Sequence, residues 1–145
     1  MKKISGVAVL ALVLVFGLAS VGCGGPDESP QLTEIYVVTR ADMDAGNYYN
    51  YASTIGASEG FFIRYVGRNL YEDIVRIVIT VKRGATVVNF WDWPFTNPIP
   101  KGGNFLTNAG IFKIGSAGSY TIEVYVVDAK GNKSNTRTVT LTVTQ

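Results

Sequence analysis

Between Gly118 and Gln145 the chain alternates apolar and polar positions in two runs. Tyr120, Ile122, Val124 and Val126 fall on one side of the first run, with Thr121, Glu123 and Tyr125 on the other; in the second run Val139, Leu141 and Val143 alternate with Thr138, Thr140, Thr142 and Thr144. A Gly131-Asn132-Lys133-Ser134 loop joins them, so the pattern predicts a β-hairpin with one dry face. A lone hairpin is marginally stable in water, and its apolar face requires a second layer from the rest of the chain. Strand patterns recur at Leu32 to Arg40, Glu59 to Tyr65, Ile74 to Lys82, Thr86 to Trp91 and Ile111 to Ile114. In the third of these, Val75, Ile77, Ile79 and Val81 share a face opposite Arg76, Thr80 and Lys82. Gly67-Arg68-Asn69 and Arg83-Gly84 read as turns, Ala41 to Ser58 as a long loop, and the proline-rich Trp93 to Gly103 as irregular. About seven strands rich in Val, Ile, Thr and Tyr, with no helical period after the N-terminal segment, predict an all-β antiparallel sandwich over Leu32 to Gln145. That span suits one such domain, and it contains no internal repeat.

The segment Gly118-Ser119-Tyr120-Thr121-Ile122-Glu123-Val124, continued by Val127-Asp128-Ala129-Lys130-Gly131-Asn132, resembles the closing F and G strands of bacterial immunoglobulin-like (Ig-like) and polycystic-kidney-disease-type (PKD) repeats. The resemblance implies that Tyr120 is the corner tyrosine of strand F and that Ile122 stands where antibody domains carry a cysteine. Trp91-Asp92-Trp93-Pro94 matches only the first two residues of the Trp-Asp-Phe-Gly-Asp-Gly type motif of PKD repeats, which favours a general Ig-like sandwich over a true PKD repeat. Such a likeness speaks to fold and not to activity.

Ahead of the domain, Met1-Lys2-Lys3 is a basic head, Ile4 to Ala19 is apolar, and Ser20-Val21-Gly22 places small residues before Cys23. That order predicts a secretory signal over residues 1–22. It resembles the lipobox of bacterial lipoproteins, with Ser20 where Leu is usual, and the resemblance implies a lipidated Cys23 as the first mature residue. Ser20 and Gly22 also satisfy the small-x-small rule for ordinary cleavage, and Ile4 to Val21 is long enough to remain as an uncleaved anchor. Cys23 is the only cysteine, so an internal disulfide is impossible and lipidation would give the exported thiol a role. A diacylglycerol together with an amide-linked chain supplies the two hydrophobic signals that stable anchoring needs. Residues 23–31 then read as a lipidated cysteine and flexible tether, Gly24 to Gln31 reaching ~27 Å when extended, so the expected location is the bacterial cell envelope, at the outer membrane or cell surface.

The net charge of +2 changes little. Loss of Lys2 and Lys3 with the signal leaves 11 basic against 11 acidic side chains, a balance with no electrostatic footprint for nucleic acid. Histidine is absent, which removes the usual general base and the commonest metal ligand. No cofactor is implied. Glu59, Glu72, Asp73, Asp92, Glu123 and Asp128 could pair as a glycosidase acid and base, but their spacing does not favour this over solvated charge. Asp42 and Asp44 alternate in a glycine-containing loop and are weak calcium candidates; an EF-hand beginning at Asp42 would need ligands where Gly46 and Ser53 stand. Asx turns account for the same residues without a metal.

Aromatic residues supply the remaining candidates. Trp91, Trp93 and Phe95 cluster in sequence, and alternating strand directions put Tyr71 at the same end, since the loop Gly67 to Asp73, the stretch Asp92 to Pro100 and the loop Asp128 to Asn135 share it. Asp42 and Asp44 fall at the opposite end. Exposed rings with polar neighbours suit stacking on a sugar or on a partner's apolar surface, and Tyr48, Tyr49 and Tyr51 invite the same reading. Against it, alternation sends some rings inward to plug the sandwich. The expected function is therefore a non-enzymatic envelope lipoprotein acting as an interaction or structural module, with a membrane reached through the lipid and an envelope protein or glycan as partner. The alternative is a carbohydrate-binding module using Tyr71, Trp91, Trp93 and Phe95; a glycan-cleaving enzyme is the third reading.

Overall fold

The computed structural model describes residues 28–145; the signal, Cys23 and the first part of the tether lie outside the described residues. The strands are β1 (Gln31–Thr39), β2 (Thr54–Gly56), β3 (Phe61–Asn69), β4 (Ile74–Arg83), β5 (Thr86–Ile99), β6 (Gly103–Phe112), β7 (Gly118–Asp128) and β8 (Arg137–Thr144), with one short helix, α1 (Arg40–Asp44). They form a three-stranded sheet, β1-β3-β6, and a five-stranded sheet, β2-β8-β7-β4-β5. Every pair is antiparallel except β2 with β8. Lettered in chain order with the short β2 set aside, these are A-B-E facing C′-C-F-G, the Ig-like arrangement in which the strand after C stays on the CFG sheet.

The sheets close over one core. Val37, Phe61, Ile63, Tyr65 and Phe112 of the smaller sheet meet Ile77, Ile79, Tyr120, Ile122, Val124, Val126 and Leu141 of the larger. Burying side chains of this size removes apolar surface worth roughly 1.5–3 kcal/mol each, and this offsets the ordering of eight strands. The corner tyrosine takes its expected place: Tyr120 is buried, and its hydroxyl donates to the Ser116 carbonyl at 2.8 Å.

Several boundaries differ from the sequence reading, each for a local reason. The piece expected to be irregular, Trp93 to Gly103, continues β5 as far as Ile99, because Pro94 and Pro98 sit on an edge strand whose outer side needs no ladder hydrogen bonds. The short strand expected at Ile111 to Ile114 is the end of a longer β6. Gly67-Arg68-Asn69 is strand rather than turn, and the turn falls at residues 70–73. Gly67 is there for close approach: a Cβ on it would lie 2.4 Å from both the Gln31 carbonyl and the Phe105 ring. In β4 a bulge between Ile74 and Arg76 turns Ile74 inward, fully buried, in place of Val75. The long loop contains α1 and the parallel strand β2, and Gln31, expected in the tether, already pairs with Arg68 in β1.

Asn135 closes the end at which β1 begins. Its side-chain oxygen accepts from Leu32 N at 2.8 Å, its amide donates to the Leu32 carbonyl at 2.9 Å, and Arg137 Nε donates to the same carbonyl at 2.9 Å. Ala129 N donates to the Asp73 carbonyl, and Lys101 N to Asp73 Oδ1, so the three loops expected to share an end do meet.

Candidate functional site

The carboxylates are best understood by what they hold. Asp128 is buried and accepts from Lys130 N, Asn132 N and Asn132 Nδ2 at 2.8–2.9 Å, fixing the β7–β8 turn. Glu59 Oε2 accepts from Gly56 N, and Asp73 from Lys101 N. Glu72 pairs with Lys130 at 2.6 Å, Asp92 with Arg76 at 3.4 Å and Glu123 with Lys82 at 2.7 Å. The Glu72 carboxylate raises the Lys130 ammonium above its usual range by hydrogen bonding first and charge second. Of the six residues weighed as acid or base, Asp128, Glu59 and Asp73 thus hold turns through backbone amides, and Glu72, Asp92 and Glu123 form partly exposed ion pairs with neighbouring elements.

Asp42 and Asp44 are occupied in the same way. The Asp42 carboxylate accepts from Asn50 Nδ2 and the Thr39 hydroxyl, each at 2.8 Å, while Thr39 caps α1 by accepting from Asp42 N at 3.1 Å. The Asn50 and Thr39 donors lower the Asp42 pKa below its ordinary value. Asp44 pairs with Arg40 one helical turn away. Among the described residues no three His, Cys, Asp or Glu side chains converge.

The aromatic candidates separate. Trp91 and Phe95 point toward the core and are half-buried against it. Trp93 is 38% exposed and lies parallel to the Phe112 ring, 5.4 Å away, where Gly110 leaves room: a Cβ there would be 2.5 Å from the indole. Phe112 also meets Trp91 at 4.6 Å, so these rings bridge the two sheets along their β5 and β6 edges. Tyr71 is exposed in the β3–β4 loop and makes no ring contact with them among the described residues.

A second aromatic surface lies across the molecule, on the outer face of the three-stranded sheet. Residues 45–53 return from α1 along β1, held by Asn47 N to the Asp42 carbonyl, Ala52 N to the Val37 carbonyl and a Tyr51–Val38 bridge. Tyr51 stacks on Tyr36 with centroids 3.8 Å apart and planes 5° apart. The Tyr36 hydroxyl donates to Glu34, which pushes its pKa up to about 12. Tyr48 and Tyr49 reach over β3, where Arg64 stands between Tyr36 of β1 and Asn108 of β6. The Arg64 guanidinium carbon is 4.8 Å from the Tyr49 ring and 5.8 Å from the Tyr48 ring. Tyr48, Tyr49 and Tyr51 carried a sequence signal; Arg64 did not, because an arginine in a strand ordinarily faces water.

These features define a class: an Ig-like β-sandwich with its loop carboxylates hydrogen-bonded or ion-paired to neighbouring elements and two aromatic surfaces at its periphery. No family model and no curated protein matches the chain. Among solved structures it is similar to the PKD domain of an M14-like peptidase from the Thermoplasmatales archaeon SCGC AB-540-F20, at 12% identity over 81% of this chain and 97% of that one, with a TM-score of 0.48. It is also similar to a Niemann-Pick type C2 protein from the Japanese carpenter ant, at 12% identity, 84% and 96% coverage and a TM-score of 0.49. An engineered protein matches at 13% identity over 77% of this chain with a TM-score of 0.46, and this chain spans 20% of its length. The fold assignment rests on the strand order itself.

Proposed function

We propose that the chain is a lipid-anchored, non-enzymatic module of a bacterial cell envelope, which presents its aromatic surfaces to an envelope partner. The observation that supports this is the division among side chains: Glu59, Glu72, Asp73, Asp92, Glu123 and Asp128 are each hydrogen-bonded or ion-paired within the fold, while Tyr48, Tyr49, Tyr71, Phe90 and Trp93 remain at least 38% exposed. Large rings left in water cost apolar hydration, and clusters of them suit a partner's surface. The anchor is supported by the order of basic head, apolar stretch and lone Cys23. Detergent partitioning of the full chain tests it. Wild type should enter the detergent phase and Cys23→Ser the aqueous phase; a wild-type protein that stays aqueous overturns the anchor. In-cell crosslinking should recover an envelope partner, and hydrolysis of a glycan lost on substituting a single carboxylate would overturn the non-enzymatic reading.

The carbohydrate-binding alternative draws support from Trp93, whose indole is braced flat against Phe112 and partly open to solvent. Trp91 and Phe95 would act in it as packing, and Tyr71 separately. Polysaccharide binding lost with Trp93→Ala but retained with Tyr71→Ala favours this version, while binding indifferent to both removes it.

A further inference from the structure

Arg64 is a charged side chain only 4% exposed, on the central strand of the smaller sheet. Its Nε is buried without a hydrogen-bond partner, and among the described residues no carboxylate lies within ion-pairing distance of it. What surrounds the cation is the faces of Tyr48 and Tyr49. Ring faces compensate a desolvated guanidinium in part, but buried charges are normally paired with an anion. An anion would complete the pairing of this guanidinium, and its fork is matched in shape by a planar carboxylate.

The surroundings say what carries that carboxylate. Gly46, Asn47, Tyr48, Tyr49 and Asn50 line a shallow, open depression that shares these two rings; Arg64 lies beneath the rings and does not itself line it. The rings of Tyr48 and Tyr49, flanked by Asn47 and by Asn50, whose Nδ2 is already given to Asp42, suit a pyranose, whose C–H faces stack on rings. We propose that Arg64, Tyr48 and Tyr49 form a binding site for a carboxylate-bearing sugar, a uronic acid unit of an acidic glycan. Tyr49 is 71% exposed and forms the movable cover; its ring turns aside to admit the carboxylate to the guanidinium and then stacks on the sugar. The loop stays in place because its backbone is pinned to β1 and α1. The site needs neither the lipid anchor nor Trp93.

Calorimetric titration of the full chain in detergent micelles tests this, with short oligogalacturonate, its methyl ester and an oligoglutamate peptide as probes. The free acid should bind, the ester should bind at least ~10-fold more weakly, and Arg64→Met and Tyr49→Ala should each cost at least ~10-fold. Tyr49 is exposed, so Tyr49→Ala should keep the wild-type unfolding midpoint and remains informative even where Arg64→Met does not fold. Arg83→Met, in a separate depression beside Lys113, should leave binding unchanged. No binding of the oligogalacturonate, equal binding of acid and ester, or tighter binding of the peptide than of the sugar acid would each overturn the assignment. None of these results alters the partitioning of Cys23→Ser, so the anchor reading stands or falls separately.

Discussion

Strands β7 and β5 belong to the same sheet, draw on the same residue types and meet opposite fates. In β7, Tyr120, Ile122, Val124 and Val126 are all 2% exposed or less; in β5, Val87, Val88 and Phe90 are 47–56% exposed. The difference is the face each residue takes, and then the place of its strand. Val87 and Phe90 pair with Lys82 and Thr80 of β4 on the outer face of the sheet, which nothing covers, whereas the four β7 residues face the smaller sheet. On the inner face, β5 lies at the edge of five strands facing three, and Trp93 there is still 38% exposed. Bare edges invite pairing with other chains, and β5 carries the usual defences: Pro94, Pro98, Asp92 and ladder irregularities opposite Ile74–Arg76 and Val81–Lys82.

The largest test of that contrast is truncation to alanine on each strand. Ile122→Ala should lower the unfolding free energy in urea by about 2–5 kcal/mol, while Val88→Ala should change it by less than about 0.5 kcal/mol. Similar losses at the two sites would break the comparison. Glycine substitutions sharpen it. Gly67→Ala, whose new methyl meets a fixed backbone carbonyl and the Phe105 ring, should cost about 1–3 kcal/mol. Gly110→Ala pushes on the partly exposed indole and also places a side chain at φ +33°, so besides destabilising the fold it should shift Trp93 fluorescence to the red; an unshifted emission would show that the indole does not depend on the room Gly110 leaves.

Smaller effects follow in the corner and the loop. Tyr120→Phe keeps the ring and removes its hydrogen bond to the Ser116 carbonyl, which should cost about 1 kcal/mol by the same denaturation measurement. At Asp42 the folded-state pKa is lowered, so its contribution is present above the ordinary carboxylate value and is lost as pH falls through the folded value. The Asn50 side-chain amide resonance should therefore move only at acid pH, below the ordinary carboxylate range, and Asp42→Asn should abolish the movement. A midpoint above the ordinary carboxylate value would contradict the Asn50 and Thr39 hydrogen bonds.

What could be read from the chain depended on how regular each piece is. The closing hairpin was legible because strict alternation and a covered face coincide: Tyr120, Ile122, Val124 and Val126 all point inward as the pattern predicts. β5 was half-legible, since its prolines imitate a loop and only edge position makes them compatible with a strand. The β4 bulge was invisible, because one extra residue exchanges Val75 for Ile74 without altering composition. The aromatic candidates were found by type, but burial of Trp91 and Phe95, exposure of Trp93 and the isolation of Tyr71 depended on partners distant in sequence.

The amino-acid order by itself determined the strand-forming segments, the sandwich class and the absence of histidine, because period and residue type are local properties of a chain. Which valines are wet, which glycines admit a neighbour and which arginine lies beneath two tyrosines were settled only when the two sheets closed. Burial and charge pairing belong to surroundings, and here those surroundings come from residues far apart along the chain, as Asn135 holding Leu32 and Tyr49 covering Arg64 show.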